Sequence, residues 1–142
     1  MENLKELKAK DVMISTIKTV TPKTSMSSIN ELFIDHNIHH VPIVDTEGRL
    51  QGIISKHDLD MLKIATGKYG QESLFAKEKR LLDSQLARDV MTTKIVTVTR
   101  EDEIKKIVDI FHGNRIHALP VVDGDILVGI ITPYDLIRLA YD

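Results

Sequence analysis

At 142 residues, with 42% hydrophobic and 28% charged positions, the chain has the size of one ordinary domain or of two small units sharing a core. A net charge of −2 argues against a protein that holds nucleic acid by neutralising phosphates, and the absence of cysteine removes disulfides and thiolate chemistry. No run approaches the ~18 apolar residues of a membrane span, and the opening MENLKELKAK has no apolar core for a signal peptide. A soluble cytoplasmic protein is therefore expected, with neither nucleic acid nor membrane as partner.

The chain states one unit twice. Residues 11–45 align without a gap on residues 89–123, with 14 of 35 positions identical. One residue is then dropped in a turn, and residues 52–62 align on 129–139 with 6 of 11 identical. A half of this size would be marginal alone, so the copies are expected to pack together. Along the chain, residues 1–10 read as an N-terminal extension, 11–66 as repeat one, 67–88 as a connector and 89–142 as repeat two.

Within each repeat the elements follow in a fixed order. The β-branched runs 16–20 and 95–99 predict a short strand. Met26, Ile29, Leu32 and Phe33, and Ile104, Ile107, Val108, Ile110 and Phe111, then recur at helical spacing. Asp102 and Glu103 are placed in the first turn of the second of these helices, where negative charge is favoured. Residues 41–44 and 119–122 are wholly apolar, as a strand buried on both faces would be. Asp45 to Gly48 and Asp123 to Asp125 read as turns, and residues 50–54 and 126–131 as the returning strand of a hairpin. A second helix starts near Lys56 or Pro133 and carries Leu59 and Leu62, or Leu136 and Leu139. Gly67 and Gly70 are expected to break the first of these. In the connector, Leu74, Leu81, Leu82 and Leu86 suggest a further amphipathic helix over residues 71–87, its apolar stripe covered by its own module or by a partner chain. Lys77, Lys79 and Arg80, interleaved with Glu78, read as the solvated face of that helix.

Each repeat closes on one device: Gly52-Ile-Ile-Ser55-Lys56-His57-Asp58 and Gly129-Ile-Ile-Thr132-Pro133-Tyr134-Asp135. A hydroxyl followed three residues later by a carboxylate is a capping-box pattern, and proline is favoured at the first helical position. The same geometry suits a ribonucleotide. Backbone N–H groups at a helix start attract phosphate, the hydroxyl adds a donor, and a carboxylate one turn in can accept from both hydroxyls of a ribose. The two readings are compatible.

The DVM opening, the apolar–Pro–apolar–Val–Asp strand and GII(S/T)xxDL, all present in both copies, make the chain resemble a tandem pair of CBS (cystathionine β-synthase) domains, a Bateman module. The resemblance spans about residues 11–140 apart from the connector. It implies an α+β fold of two β-α-β-β-α repeats related by a pseudo-twofold axis, with nucleotide clefts between the repeats. AMP, ADP or ATP would be the regulatory ligand, with S-adenosylmethionine, an NAD-like compound or a cyclic dinucleotide as further possibilities, and two modules would associate as a flat homodimer. Phosphate and ribose would fall to Ser55 and Asp58, and to Thr132 and Asp135. The base would rest on Thr16, Ile17 and Lys18 with Ile38 and His39 in one site, and on Lys94, Ile95 and Val96 with Ile116 and His117 in the other. Phosphate ligands would also come from the opposite copy, at His39-His40 and His117-Ala118. Lys56 and His57 at one helix mouth, against Pro133 and Tyr134 at the other, make the Asp58 site the one expected to prefer more phosphates.

Other readings carry less. His36, His39, His40 and His117 invite a metal site, but no cysteine joins them and a helix end separates His36 from His39, so no metal is expected. Asp58 and His57 are adjacent on a helix and point apart, and no nucleophile accompanies them, so no catalytic residue is assigned. Gly52 and Gly129 fit either close approach of a ligand or tight packing. Met13 and Met91 fit either the floor of a base pocket or core filling. Within these residues no effector domain is left over, so a regulated protein is expected on another chain or not at all. The alternative function is a ligand-free dimerisation scaffold.

Overall fold

The computed structural model describes residues 6–65, 74–114 and 116–141. In chain order the elements are α1 (Ala9–Val12), α2 (Met26–His36), β1 (His40–Val44), β2 (Leu50–Ser55), α3 (Lys56–Ile64), α4 (Leu74–Ser84), α5 (Ala87–Val90), α6 (Ile104–Asn114), β3 (Leu119–Asp123), β4 (Ile126–Ile131) and α7 (Pro133–Tyr141). Helix, two strands and helix thus occur twice, as the repeat predicts. β1 pairs with β2, and β3 pairs antiparallel with β4 from Leu119↔Ile131 to Asp123↔Ile126. The reversals use Gly48 (φ 84°) and Gly124 (φ 64°), a conformation that glycine adopts without strain. The expected break at Gly67 and Gly70 lies outside the described residues.

Three expectations are corrected. The first strand of each repeat shrinks to a single parallel bridge, Val20↔Ile43 and Val98↔Val121. Val20 N–H donates to the Pro42 carbonyl at 3.2 Å and Val44 N–H to the Val20 carbonyl at 2.9 Å. Val98 repeats this with the Pro120 carbonyl (3.1 Å) and the Val122 N–H (2.8 Å). Proline suits this edge because only its carbonyl is used. No ladder grows upstream, because the chain leaves one compact unit for another at residues 17–18 and 95–96. Secondly, Asp102 and Glu103 precede α6, which starts at Ile104. Asp102 instead closes a turn, its carboxylate accepting Thr99 N–H at 2.8 Å, and that bond holds its pKa below the ordinary aspartate value. Thirdly, the connector helix is shorter than residues 71–87: α4 stops at Ser84 and a separate turn, α5, follows. Leu82 is buried in the core that α2 and α3 also build, so α4 packs on its own module.

The compact units are not the repeats. Among the described residues one comprises 6–17, 48–50, 96–114 and 116–141, the other 18–47, 51–65 and 74–95. Ala9 is fully buried in a core with Val98, Ile107, Leu119, Val121 and Ile131, all of repeat two. Ala87 is fully buried with Met26, Ile29, Val41, Ile43 and Ile54, all of repeat one. The backbone bonds match one for one. Ala9 N–H donates to Asp102 C=O (2.8 Å), Lys10 to Arg100 (3.0 Å), and Ile104 to Leu7 (3.2 Å). In the other unit Ala87 donates to Thr24 (2.7 Å), Arg88 to Pro22 (3.0 Å), and Met26 to Gln85 (2.8 Å). Each DVM segment therefore docks on the repeat it does not open.

This docking explains both repeated glycines. Ile14 and Ile130 exchange backbone bonds at 2.9 and 3.0 Å, and Ile53 and Thr92 do so at 3.0 Å each. Beside these bridges Met13 lies over Gly129 and Met91 over Gly52. A Cβ added at Gly52 would stand 2.7 Å from Met91 Cγ, and one at Gly129 would stand 2.8 Å from Met13 Cγ. The glycines are sockets for the two methionines, and packing accounts for all four residues.

The N-terminal segment has an ionic clip as well. Glu101 accepts from Lys8 Nζ and Lys10 Nζ, both at 2.9 Å. Those two bonds, that from Lys8 first, pull the Glu101 pKa down to about 2. In the other unit the aligned residues are Leu86, Arg88 and Lys23, which offer no such pair.

Two outcomes follow. Gly52→Ala should destabilise the protein by ~1–3 kcal/mol through overpacking. Met91→Ala in the same chain should return part of that loss, so a double-mutant cycle read by urea denaturation should be non-additive. The Glu101 carboxyl is more acidic folded than unfolded, where it sits near ~4.3. Its contribution is therefore present above that value and lost as pH falls towards about 2. Glu101→Gln should flatten the fall in melting temperature over that window, by a small amount because the pairs are exposed and screened.

Candidate functional site

Both candidate sites sit where the last strand of a hairpin becomes a helix. β2 ends on Ser55, which caps α3 with extended backbone angles (φ −98°, ψ 161°). Asp58 N–H donates to Ser55 Oγ at 3.0 Å, and Ser55 N–H donates to Asp58 Oδ2 at 2.9 Å. At α7, Thr132 N–H donates to Asp135 Oδ2 at 2.8 Å, and the Thr132 hydroxyl donates to the same oxygen at 3.1 Å. Asp135 N–H reaches the Thr132 carbonyl at 3.0 Å, with the hydroxyl at a long 3.4 Å. The Ser55 hydroxyl thus serves the cap as an acceptor and keeps its proton for another partner. The Thr132 hydroxyl spends its proton on the carboxylate.

Each carboxylate enters its cap through Oδ2, and Oδ1 takes no part in the cap. Asp135 is 8% exposed and is the buried charged residue among those described, whereas Asp58 is half-buried. The helix starts also differ in what they offer. Lys56 N–H donates to the His39 carbonyl at 2.8 Å, which pins His39 to the mouth of α3. Pro133 has no N–H to give. With the third N–H of each helix engaged in its cap, the second remains, on His57 in α3 and on Tyr134 in α7. The Arg138 guanidinium lies 5.9 Å from the Tyr134 ring centroid, one turn into α7.

The remaining predicted residues divide between the units. Lys18, Ile38, His39 and His40 share a unit with Ser55, Lys56, His57 and Asp58. Val96, Ile116 and His117 share the other with Thr132, Pro133, Tyr134 and Asp135. Thr16 and Ile17 fall in the unit opposite Asp58, and Lys94 and Ile95 in the unit opposite Asp135. Ile38 packs on the core of its unit, and His39 and His117 are exposed. Asn37, in the left-handed region (φ 49°), ends α2 between His36 and His39. Among the described residues no group of three or more His, Asp or Glu side chains is placed to hold a metal, and no helix is long and apolar enough to cross a membrane. A groove of about 250 Å³ between α2 and α4, lined by Ser27, Asn30, Glu78 and Asp83 among others, contains none of the predicted binding residues.

Sequence reasoning missed how general the aspartate device is. Asp11 accepts from Lys8 N–H at 2.9 Å and Asp89 from Leu86 N–H at 3.0 Å, each closing the single-turn helix of a DVM segment. With Asp58, Asp102 and Asp135, five aspartates reach back three residues to a backbone N–H. The signal was the spacing alone, since Lys8 and Leu86 carry no capping oxygen. The bond to the backbone therefore does not mark a binding residue. Burial, the adjacent hydroxyl and the position after a buried strand separate Asp58 and Asp135 from the exposed Asp11 and Asp89.

The sequence profile of the CBS domain matches residues 9–62 and 87–142. An inosine-5′-monophosphate dehydrogenase of Methanocaldococcus jannaschii is 28% identical over 132 residues, covering 92% of this chain and 23% of the dehydrogenase. The chain thus spans about a quarter of the length of such relatives. The CBS domain-containing protein YhcV of Bacillus subtilis is 27% identical over 127 residues, 89% of this chain and 81% of that protein. Among solved structures, CBSX2 in complex with AMP superposes with a TM-score of 0.79 at 25% identity, covering 95% of this chain and 97% of that one. The CBS domain pair of protein MJ0100, in complex with 5′-methylthioadenosine and S-adenosyl-L-methionine, superposes with a TM-score of 0.76 at 27% identity, covering 94% and 95%.

The cap geometry makes the two hydroxyls unequal in stability. Ser55→Ala should cost ~1 kcal/mol, the usual loss for a capping hydroxyl. Thr132→Ala should cost less of its cap, because Asp135 N–H is already held by the Thr132 carbonyl. Thermal denaturation of the two variants checks the order.

Proposed function

The chain belongs to the CBS domain family, and from that membership we propose that it is a non-catalytic, cytoplasmic regulatory module that binds adenine nucleotides of the AMP, ADP or ATP type. The observation that carries this reading is the pair of hydroxyl–aspartate junctions. Both keep Oδ1 of a shielded carboxylate open beside a free helix-end N–H, the two features that a ribose diol and a phosphate require. The AMP and S-adenosyl-L-methionine bound in similar structures support an adenosine ligand. S-adenosylmethionine, an NAD-like compound or a cyclic dinucleotide remains within the same chemistry.

The sites are unequal in the proposed role. The free Ser55 proton and the exposed Lys56 and His57 favour a longer phosphate chain at the Asp58 site. Pro133, Tyr134 and the engaged Thr132 hydroxyl favour a monophosphate at the Asp135 site. As a regulator the protein would act as a homodimer, and ligand would bias two arrangements that a partner protein on another chain reads. A ligand shifts such an equilibrium only by its differential affinity for the two states. The second reading, a ligand-free scaffold, is favoured by one observation: Asp11 and Asp89 make the same backbone bond as plain helix caps.

Calorimetric titration of nucleotide-free protein with AMP, ADP, ATP, S-adenosylmethionine, NAD and cyclic di-AMP tests the proposal. Micromolar binding is expected, with Asp58→Ala and Asp135→Ala each costing ~1.5–3 kcal/mol at its own site. ATP should lose more on Asp58→Ala and AMP more on Asp135→Ala. No heat across the panel would leave the scaffold reading standing.

A further inference from the structure

Methionine is the one oxidisable sulfur in this chain, which has no cysteine and five methionines. Met1 lies outside the described residues, and the other four differ in reach. Met26 is fully buried in a core, whereas Met61 stands 51% exposed on α3. Met13 and Met91 are half-buried at the edges of their cores, with Ile14 and Thr92 exposed beside them. On each seat the sulfur is the side-chain atom nearest the glycine, and at Gly52 it would stand 2.5 Å from an added Cβ. Neighbouring backbone donors are already spent. Ile14, Ile130, Ile53 and Thr92 use theirs in the bridges, and Met13 and Met91 donate to the Ala9 and Ala87 carbonyls at 2.8 and 2.9 Å.

We propose that Met13 and Met91 are sites of reversible oxidation by hydrogen peroxide, and that a sulfoxide at either unlatches its DVM segment. The S–O bond forms as the peroxide O–O bond breaks. The sulfur gives up two electrons, and the second peroxide oxygen leaves as water, taking the proton of the transferred one. The product carries a polar acceptor where a thioether made apolar contact. Held in the seat, that oxygen would be desolvated without a donor, which is costly. It finds hydrogen bonds by turning to water, and that lifts the side chain from its glycine. The seats are equivalent in the two units, so the fully buried Ala9 and Ala87 depend on them alike. A thiol-dependent sulfoxide reductase reverses the step: two thiols become a disulfide, and the oxygen leaves as water. Met61 is in water before and after oxidation and latches nothing.

Timed hydrogen peroxide treatment of the full chain, quenched with catalase, tests the latch. Sulfoxides are mapped by peptide mass spectrometry, and the melting temperature is read on the same samples. Met61 should oxidise first and leave the melting temperature unchanged. A fall of about 5 °C or more should then track the oxidation of Met13 and Met91. Reductases for both sulfoxide epimers should restore the original value. Met61→Leu should respond to peroxide as the wild type does. Protein carrying norleucine in place of methionine keeps the unbranched side chains without the sulfur, and its melting temperature should not move. A fall that tracks Met61, an equal fall in the norleucine protein, or full conversion of Met13 and Met91 with no fall would overturn the proposal. So would sulfurs at both positions that react only once the chain is unfolded, or a loss that the reductases do not return.

Discussion

The fold depends on two methionines seated on two glycines. Met13 over Gly129 and Met91 over Gly52 carry each DVM segment into the repeat that it does not open. The flanking backbone bonds, five per segment counting the bridge pairs, fall at equivalent positions in the two units. Neither repeat can complete its own core, because Ala9 fills one and Ala87 the other. That removes the weakness of a half-sized domain. It also binds the fate of the repeats together, since losing either segment strips a fully buried residue from the opposite core.

A second economy is the use of one local device for several ends. An aspartate that accepts a backbone N–H three residues earlier nucleates a turn at little cost in entropy, and it does so at five places along the chain, whereas α2 is capped by Ser25 Oγ alone. At Asp11 and Asp89 it docks the exchanged segments. At Asp102 it shapes the turn that receives one of them, and Glu101 in that turn clamps Lys8 and Lys10. At Asp58 and Asp135 a hydroxyl and partial burial are added, and the cap becomes a place where a diol could be held. Structure and proposed function share these residues without conflict, because the cap occupies one carboxylate oxygen and leaves the other.

Much of this was legible in the residues. The helical faces of α2 and α6, the apolar strands β1 and β3 and the starts of α3 and α7 all appeared at the expected positions, because each rests on a local pattern. The short first strands did not survive, since β-branched composition reports a preference and not a partner. Val20 and Val98 find one backbone bridge each before the chain departs. The exchange was invisible for a different reason. Two homologous repeats offer nearly the same docking surface, so the spacing of Asp-Val-Met says that it packs on such a surface but not on whose. For the same reason Gly52 and Met91 could each be explained alone, while their pairing could not be read. Of the residues expected around the base, Thr16, Ile17, Lys94 and Ile95 belong to a different compact unit from the aspartate they were assigned to, a division that the repeat boundaries do not announce.

The exposed faces of α3 and α7 and the two candidate sites meet at single residues. His57 supplies the open N–H at the mouth of α3 and is also the first residue of its exposed face, and Tyr134 plays both parts on α7. A phosphate on the His57 N–H would sit at the first turn of α3, which Ser55 and Asp58 close. Asp58 and Asp60 lie two residues apart on one helix, Asp58 half-buried in the cap and Asp60 exposed. Because His57 offers its N–H beside Lys56 on α3, whereas Tyr134 offers its own beside a proline on α7, the two helix mouths are chemically distinct although one device built both.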